Sequence, residues 1–472
     1  CNLSCQNYLR KSLNSQNMPK RILLLGAGRS ASNLIKYLLE NSQAFEWELT
    51  IVERSAEFVK KKIEGYSNAC VIQPESDDVW KNEIPKHDLV ISMLPARFHE
   101  SVLRVCIESK TPAVTASYMT NEIEALTDQA KAAGIPIMME VGVDPGIDHM
   151  SAMKLIDKIR SENGKMLLFE SFTGGLIAPE SDNNPWNYKF TWNPRNVVLA
   201  GQGGAAKFIQ EGRNKYIPYH RLFRRTEFIT IEGYGRFEGY ANRDSLSYRA
   251  VYDLDDIPTI YRGTLRRPGF SRAWDAFVKL GATDDTYQIK GTEPMTNREF
   301  INSFLAYNPH DSVELKLMYY LNIPQDSEVM DKLSWLGIFE DTPIELDNAT
   351  PAQVLQYILE QKWSLAPDDK DMIVMWHKLG WETASGEKKM MTSSMVVKGD
   401  DQTYTSMSKT VGLPTAIAAK MILEGKIFEP GIHRPIHKSI YEPILTELED
   451  YGISFSEKEM IPEFYWKEPK ER

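Results

Sequence analysis

Cysteine is scarce. Four residues (Cys1, Cys5, Cys70, Cys106) occur in 472 and none forms a C-x-x-C pair, so the chain carries no disulfide framework and fits a reducing cytoplasm. Metal-ligand spacing is lacking as well. The eight histidines (His87, His99, His149, His220, His310, His377, His433, His437) follow no ligand pattern. His433 and His437 are four apart, but Pro435 between them argues against one helical face, and no metal is expected. There is no G-x-S-x-G elbow and no cysteine in a nucleophile context. No apolar run reaches the roughly 20 residues of a membrane span. Positive charge is in deficit: the net charge of −10 is spread along the chain, which disfavours nucleic acid or an anionic membrane as partner. Internal repeats and low-complexity segments are absent too.

What is present is an ordinary globular composition, 42% hydrophobic and 25% charged, in a chain too long for one core. Two or three domains are expected. A start at Cys1 is unusual for a translated chain; it fits a truncation, a misplaced start or a lipid-bearing cysteine. The plainest expectation is a polar lead over residues 1–19 and a fold that begins at Lys20.

The chain is organised around Arg21–Glu53. Four apolar residues, Ile22 to Leu25, run into Gly26-Ala27-Gly28-Arg29-Ser30-Ala31. An amphipathic helix follows, with Leu34, Tyr37 and Leu38 on one face, and then a strand, Leu49 to Val52, that ends in Glu53. This is the dinucleotide-binding fingerprint in its G-x-G-x-x-A form. Gly26 allows the tight turn, Gly28 lets a pyrophosphate approach the backbone, and Ala31 lets helix and strand pack closely. The helix N-terminus supplies N–H groups for the phosphate, and Glu53 stands where a carboxylate accepts hydrogen bonds from a ribose.

Strand and helix patterns then alternate. Strands are expected at Cys70–Gln73, Leu89–Leu94, Ala113–Ala116 and Ile135–Val141, with helices at Phe98–Glu108 and from Asn121 to Gly134. Asn121 is the expected cap of the latter, with Glu124 closing a capping box. Six parallel strands with crossovers make a doubly wound Rossmann sheet, whose ligands lie beyond the carboxyl ends of the strands. After a helix from Met150 to Ile159 the pattern shifts to period 2, at Leu167–Phe172, Glu227–Ile231, Arg236–Tyr240, Tyr248–Tyr252 and Thr259–Thr264. This predicts a second, α+β domain with a mostly antiparallel sheet. From Asn297 to Trp381 helical periodicity dominates, the segment MIVMWHKLGW included, and predicts a helical insertion. Lys388–Gly399 returns as a strand of the second sheet, and a helix over Thr415–Glu424, opened by Gly412-Leu413-Pro414, returns to the first domain. The expected domains are 20–148 with about 410–450, 149–290 with about 386–408, and 291–385.

Three groups of residues invite chemistry. The loop Glu140–His149 follows the last parallel strand at the cofactor end, with Asp144, Asp148 and His149 in it. It reads as a rigid connector, with Pro145 and Gly146 setting the turn and Asp148 capping a helix. It also lies where a nicotinamide is expected, and Asp144 or His149 is a candidate proton carrier. Ser117 and Tyr118 end the fifth strand, where hydroxyls serve either as ordinary strand-end residues or as ligands of a substrate carboxylate. Arg243, Arg262, Arg266 and Arg267 form a basic group in the second domain, equally compatible with a solvated face and with bidentate binding of a polycarboxylate.

The segments VISMLPARFHESV, TASYMTNEIEAL, MEVGVDPGIDHMSAMKLID, SFTGGLIAPESDNNPWNYKFTWNPR, YANRDS and YRGTLRRPGF stand in an order and spacing that resembles the glutamate-forming saccharopine dehydrogenases. The resemblance covers Arg21 to about Gly269 and resumes near Gly412. It implies a nucleotide domain, a second α/β domain and a helical third domain. The implied activity is NAD- or NADP-dependent interconversion of saccharopine with glutamate and 2-aminoadipate semialdehyde in lysine metabolism, by a cytoplasmic homodimer. It implies substrate contacts at Ser117, Tyr118, Arg243, Thr264, Leu265 and Arg266. It implies cofactor contacts at Gly26, Ala27, Gly28, Arg29, Ser30, Glu53, Arg54, Leu94, Ala116, Val143, Asp144, Pro145 and Asn193. Saccharopine carries three carboxylates and a secondary amine, which suits paired arginines. Hydride leaves the carbon beside the amine, and the imine adds water and collapses. Asp144 is the first candidate for the proton.

Two departures qualify this. Thr173 stands where the family often has cysteine, and Glu53 would repel a 2′-phosphate, which tilts the expectation to NAD, while Arg54 beside it keeps NADP open. A carboxynorspermidine or homospermidine synthase is the alternative within the fold; it would place carboxylates where this chain has Arg243 and Arg266. A non-catalytic nucleotide-binding regulator would keep the glycine turn and have no need of the arginines.

Overall fold

The fold is that of a computed structural model, which describes residues 19–462 except 77, 201 and 203. Cys1, Cys5 and residues 1–18 of the expected polar lead lie outside the described residues. Contacts divide the chain into two units, Cys1–Asp157 with Thr403–Ser454, and Lys158–Gln402 with Phe455–Arg472.

The first unit is built on parallel strands β1 (Lys20–Leu25), β2 (Trp47–Val52), β3 (Ala69–Ile72), β4 (Leu89–Ser92), β5 (Ala113–Thr115) and β6 (Pro136–Met138), in the order β6-β5-β4-β1-β2-β3. The four residues of β4 are all buried, as in a strand covered on both faces. The expected six strands become seven: Gly431–His433 adds to β6, again in parallel. Three residues before a proline are too few to show periodicity. The Ile135–Val141 strand shrinks to β6, because Glu140 has a positive φ of 60° and ends the pleat. The helix expected from Asn121 is capped one residue earlier, by Thr120, whose hydroxyl accepts the Ile123 N–H, and it breaks into Asn121–Glu124 and Thr127–Ala133. Gly134 ends it in the left-handed conformation as expected.

The long C-terminal helix spans Ser406–Leu423, two turns earlier than its apolar stretch indicated, with Pro414 inside. It is capped by Thr405, whose hydroxyl accepts the Ser408 N–H. As expected it packs within the first unit, against the helix Ser32–Asn41. Ser408 Oγ accepts both the backbone and side-chain N–H of Asn33, and a Cβ at Gly412 would sit 2.8 Å from Leu34 N, so glycine sets this close approach.

The second unit holds the mixed sheet: β7 (Lys165–Ile177), β8 (Ala206–Gln210), β9 (Arg213–Ile217), β10 (Thr226–Ile231), β11 (Gly235–Ala241), β12 (Thr259–Arg266), β13 (Asp371–Glu382) and β14 (Lys388–Lys398). The order is β10-β11-β12-β7-β13-β14, closed by Ser456–Met460, with the β8-β9 hairpin off β12. Every pairing is antiparallel except β12 with β7. Two expectations fail here. MIVMWHKLGW is not helical but forms the centre of β13, where residues 371–375 are buried without alternation, so its apolar run carries no period to distinguish strand from helix. Tyr248–Tyr252 is not a strand: Tyr248–Val251 forms a helical turn. The helices Asn297–Asn302, Val313–Leu321, Glu328–Trp335 and Pro351–Trp363 begin at Thr296, Ser312, Ser327 and Thr350, each capping through its hydroxyl. Their apolar faces share one core with the sheet, centred on Trp186, Tyr188, Phe270, Trp274 and Trp363.

Candidate active site

In the first unit the glycine turn follows β1 directly. Gly26 has a φ of +86°, and a Cβ there would lie 3.1 Å from Met93 O, so its requirement is conformational. Gly28 differs: a Cβ would meet nothing within 4 Å. The space over Gly28 is open, as a site for a pyrophosphate has to be. Ala31 is buried where the helix Ser32–Asn41 starts, while Gly28 and Arg29 are exposed. The turn therefore fits a dinucleotide. Glu53, the residue expected at the ribose, accepts the Ala27 N–H at 2.7 Å and the Ser55 N–H at 3.1 Å, so its carboxylate braces the loops at this end of the sheet. Exposed Arg54 follows it, its carbonyl held by Gln73 Nε2 at 3.0 Å. Lys62, which the sequence did not single out, donates to Ser32 Oγ at 2.7 Å, and burial pushes its pKa down to about 8.

Leu94, Ala116, Ser117 and Tyr118 follow β4 and β5, at the same end of the sheet as the glycine turn. The loop after β6 folds back on itself. Gly142 N–H bonds to Pro145 O, Ile147 N–H to Gly142 O, and Asp148 Oδ1 accepts the N–H groups of Gly146 and His149. A Cβ on Gly142 would lie 3.0 Å from Ala116 Cβ, which brings the Val143–Pro145 segment against the end of β5. Thr415 Oγ1 donates to Val141 O at 2.7 Å, fastening the C-terminal helix to the base of the loop. Tyr118 OH reaches Asp144 Oδ1 at 3.0 Å, so these two proposed residues meet. His149 does not join them. It is fully buried, with Nε2 2.7 Å from Glu140 Oε2, and supports the loop.

Glu140 was not singled out as a site residue, yet it holds the loop together. Its carboxylate takes the Met119 N–H at 2.8 Å, His149, and Arg434 Nε at 3.1 Å. Burial pushes its pKa up, but the hydrogen bond and charge of His149, with Arg434 and the Met119 N–H, hold it below the usual carboxylate range. The sequence signal was a glutamate at a strand end beside a histidine nine residues on.

In the second unit Arg266 is 4% exposed. Its guanidinium lies 5.0 Å from the centre of the Tyr188 ring, 5.3 Å from Phe270 and 6.0 Å from Tyr240. Nη1 donates to Leu265 O, Nε has no partner, and Arg266 enters no ion pair among the described residues, the buried Glu238 opposite it on β11 accepting the Gly269 and Ser271 N–H groups instead. Thr264 is half-buried and Leu265 fully buried on the same strand. Arg262 is buried too, but stacks 3.7 Å over Tyr248, and Arg267 donates to Tyr234 O. These two arginines are held by the fold. Arg243 is exposed on the turn after β11, and exposed Asn193 caps the helix Pro194–Val198 through Oδ1. Thr173 Oγ1, at the family's cysteine position, is buried without a hydrogen-bond partner.

Comparison with known proteins agrees with this architecture. Residues 22–138 match the family model described as saccharopine dehydrogenase NADP binding domain, and residues 142–453 match the saccharopine dehydrogenase C-terminal domain. A saccharopine dehydrogenase [NADP(+), L-glutamate-forming] of Saccharomyces cerevisiae is 34% identical over 93% of this chain and 99% of its own length. The mitochondrial alpha-aminoadipic semialdehyde synthase of Rattus norvegicus is 34% identical over 95% of this chain, which spans only about half (48%) of that relative's length. The solved apo saccharopine dehydrogenase (L-Glu forming) from Saccharomyces cerevisiae superimposes with a TM-score of 0.83 at 32% identity, covering 94% of this chain and all of the other. No described helix is long and apolar enough to cross a membrane. Model matches to both units, together with a relative aligned along nearly its whole length, place this chain in the saccharopine dehydrogenase family.

Proposed function

We propose that the protein is an NADP-dependent oxidoreductase that interconverts saccharopine with L-glutamate and 2-aminoadipate 6-semialdehyde. The observation that carries this reading is Arg266: a permanent cation, almost fully buried among aromatic rings, with an unsatisfied Nε and no carboxylate partner among the described residues. A buried charge without a counter-ion is costly, and an anionic ligand supplies the missing partner. Saccharopine brings three carboxylates. Arg266 holds one of them, Thr264 and the Leu265 backbone line its place, and exposed Arg243 takes a second. Ser117 and Tyr118 contact the substrate from the end of β5. A polyamine substrate would set a cation against Arg266 and is disfavoured on the same ground.

When bound, the nicotinamide accepts the hydride from the carbon that bears the secondary amine. Ala27 to Ser30 hold the phosphates, and Leu94, Ala116, Val143, Pro145 and Asn193 complete the cofactor's contacts. Asp144 Oδ1, steadied by the Tyr118 hydroxyl, is the proton-accepting atom. NADP is favoured over NAD because the matched nucleotide-domain model and the yeast relative are both described by NADP, and exposed Arg54 is the residue assigned to the 2′-phosphate.

Calorimetric titration tests the reading. Saccharopine should bind the wild type in the presence of NADPH, with which it cannot react, and lose about 3 kcal/mol of affinity in Arg266→Ala. Equal binding to both proteins, or preferential binding of a carboxyalkylated polyamine, would overturn it.

A further inference from the structure

One buried group at the end of the parallel sheet has no part in the reading above. His99 opens the helix His99–Ser109 and is 0% exposed. Its Nε2 lies 2.6 Å from Ser117 Oγ, and its Nδ1 lies 3.2 Å from Oγ of buried Ser92, the last residue of β4. The Ser117 backbone is held: its N–H bonds to Thr115 Oγ1 at 3.2 Å and its carbonyl accepts the Glu140 N–H at 3.1 Å. Its hydroxyl meets His99 Nε2, so the tautomer of the ring decides which way the hydroxyl proton points.

Burial holds the imidazole neutral, its pKa pushed down to about 4 against a backbone hydrogen bond with Leu94 that favours the protonated ring. A neutral imidazole has one N–H and one lone pair. Ser92 Oγ faces Nδ1 and Ser117 Oγ faces Nε2, so an N–H on Nδ1 leaves the Nε2 lone pair facing Ser117.

We propose that His99 is a positioning residue whose Nε2 accepts the Ser117 O–H hydrogen bond and so presents the Ser117 Oγ lone pairs to an N–H group of the substrate, either its secondary amine or an ammonium. This rests on the assignment of Ser117 to the substrate. It gives Ser117 the role opposite to Arg266: one takes donors, the other presents them. It also joins Ser92, at the end of β4, to Ser117, after β5, through a single buried ring.

The tautomer is read without substrate, from the imidazole nitrogen shifts of the holoenzyme labelled at histidine, with His99 assigned by comparison with His99→Gln. The proposal requires an Nδ1–H ring with an unprotonated Nε2 across about pH 6 to 9; an Nε2–H ring overturns it, whatever reaction the enzyme carries out. Kinetics supply the second arm. His99→Leu should raise the saccharopine KM about tenfold and leave NADP affinity within twofold of wild type. His99→Gln, whose amide offers both an acceptor and a donor, should recover most of the loss. In a Ser117→Ala background, His99→Leu should add less than a twofold change. Additive losses, or equal loss of cofactor and substrate affinity, would assign His99 to the core alone. If the wild type does not turn over saccharopine, the function falls while the nitrogen shifts still decide the His99–Ser117 relation.

Discussion

At the scale of single residues, the two glycines of the nucleotide turn separate fold from function. A Cβ at Gly26 strikes the Met93 carbonyl, whereas one at Gly28 meets nothing within 4 Å. Gly28→Ala should therefore leave the melting temperature within about a degree, yet weaken NADP binding at least tenfold, because the methyl occupies space meant for the pyrophosphate. A matching fall in melting temperature would make Gly28 structural instead. The arginines divide in the same way. Loss of a buried, unpaired charge at Arg266 is expected to cost about 3 kcal/mol of substrate affinity, but exposed Arg243 only about 1 kcal/mol, and neither change should alter cofactor affinity. The reverse ranking, measured by titration, would exchange their roles. Arg54→Ala should lower affinity for NADP about tenfold or more and spare NAD, as for one lost charge-assisted contact; equal effects on both would remove Arg54 from the 2′-phosphate.

At the scale of elements, the loop after β6 depends on a carboxylate. Glu140 joins Met119, His149 and Arg434, and its pKa is held below the ordinary 4.5. A depressed carboxylate adds stability above its unfolded pKa and loses it as pH falls through its folded one. Glu140→Gln should thus destabilise by about 3 kcal/mol at neutral pH, and thermal melts should show the gap closing as pH falls below the usual carboxylate range. A gap independent of pH would mean that packing, not charge, holds the loop. Glu170, buried on β7 with Lys378 3.9 Å away, has the opposite sign: burial raises its pKa from 4.5 to about 7. Its contribution is complete below about 4.5 and is lost as pH rises through about 7, so Glu170→Gln should melt higher than wild type at about pH 8 and gain little at about pH 4.

These elements also show what could be read from the chain. The glycine turn, the alternating strands and the arginine-bearing β12 were legible because local spacing dictates them. The central strand β13 was not, since a strand buried on both faces has no alternation and Ile373, Val374 and Met375 pack equally well in a helix. The helical turn at Tyr248 was not, because its alternating aromatics are explained only by Arg262, which stacks on it. Glu140, Arg434 and His99 stayed hidden for another reason. Glu140 and Arg434 are 294 residues apart, beyond any spacing rule, while the partners of His99, Ser92 and Ser117, lie 7 and 18 residues away on other elements and follow no motif.

At the scale of the whole molecule, the chain divides into two units, the glycine turn, Ser117, Tyr118 and Asp144 belonging to one and Asn193, Arg243 and Thr264 to Arg266 to the other, and the roles proposed for these residues are tested together by activity. The chain aligns with nearly the full length of the yeast relative and spans about half of the rat synthase. The most direct test is turnover by the purified wild-type chain, followed through the absorbance of the reduced nicotinamide with saccharopine and either NADP or NAD. The account predicts a saccharopine-dependent rise that is fastest with NADP and matched by glutamate released mole for mole. No rise with either cofactor, from protein shown to be folded and to bind NADP, would contradict it.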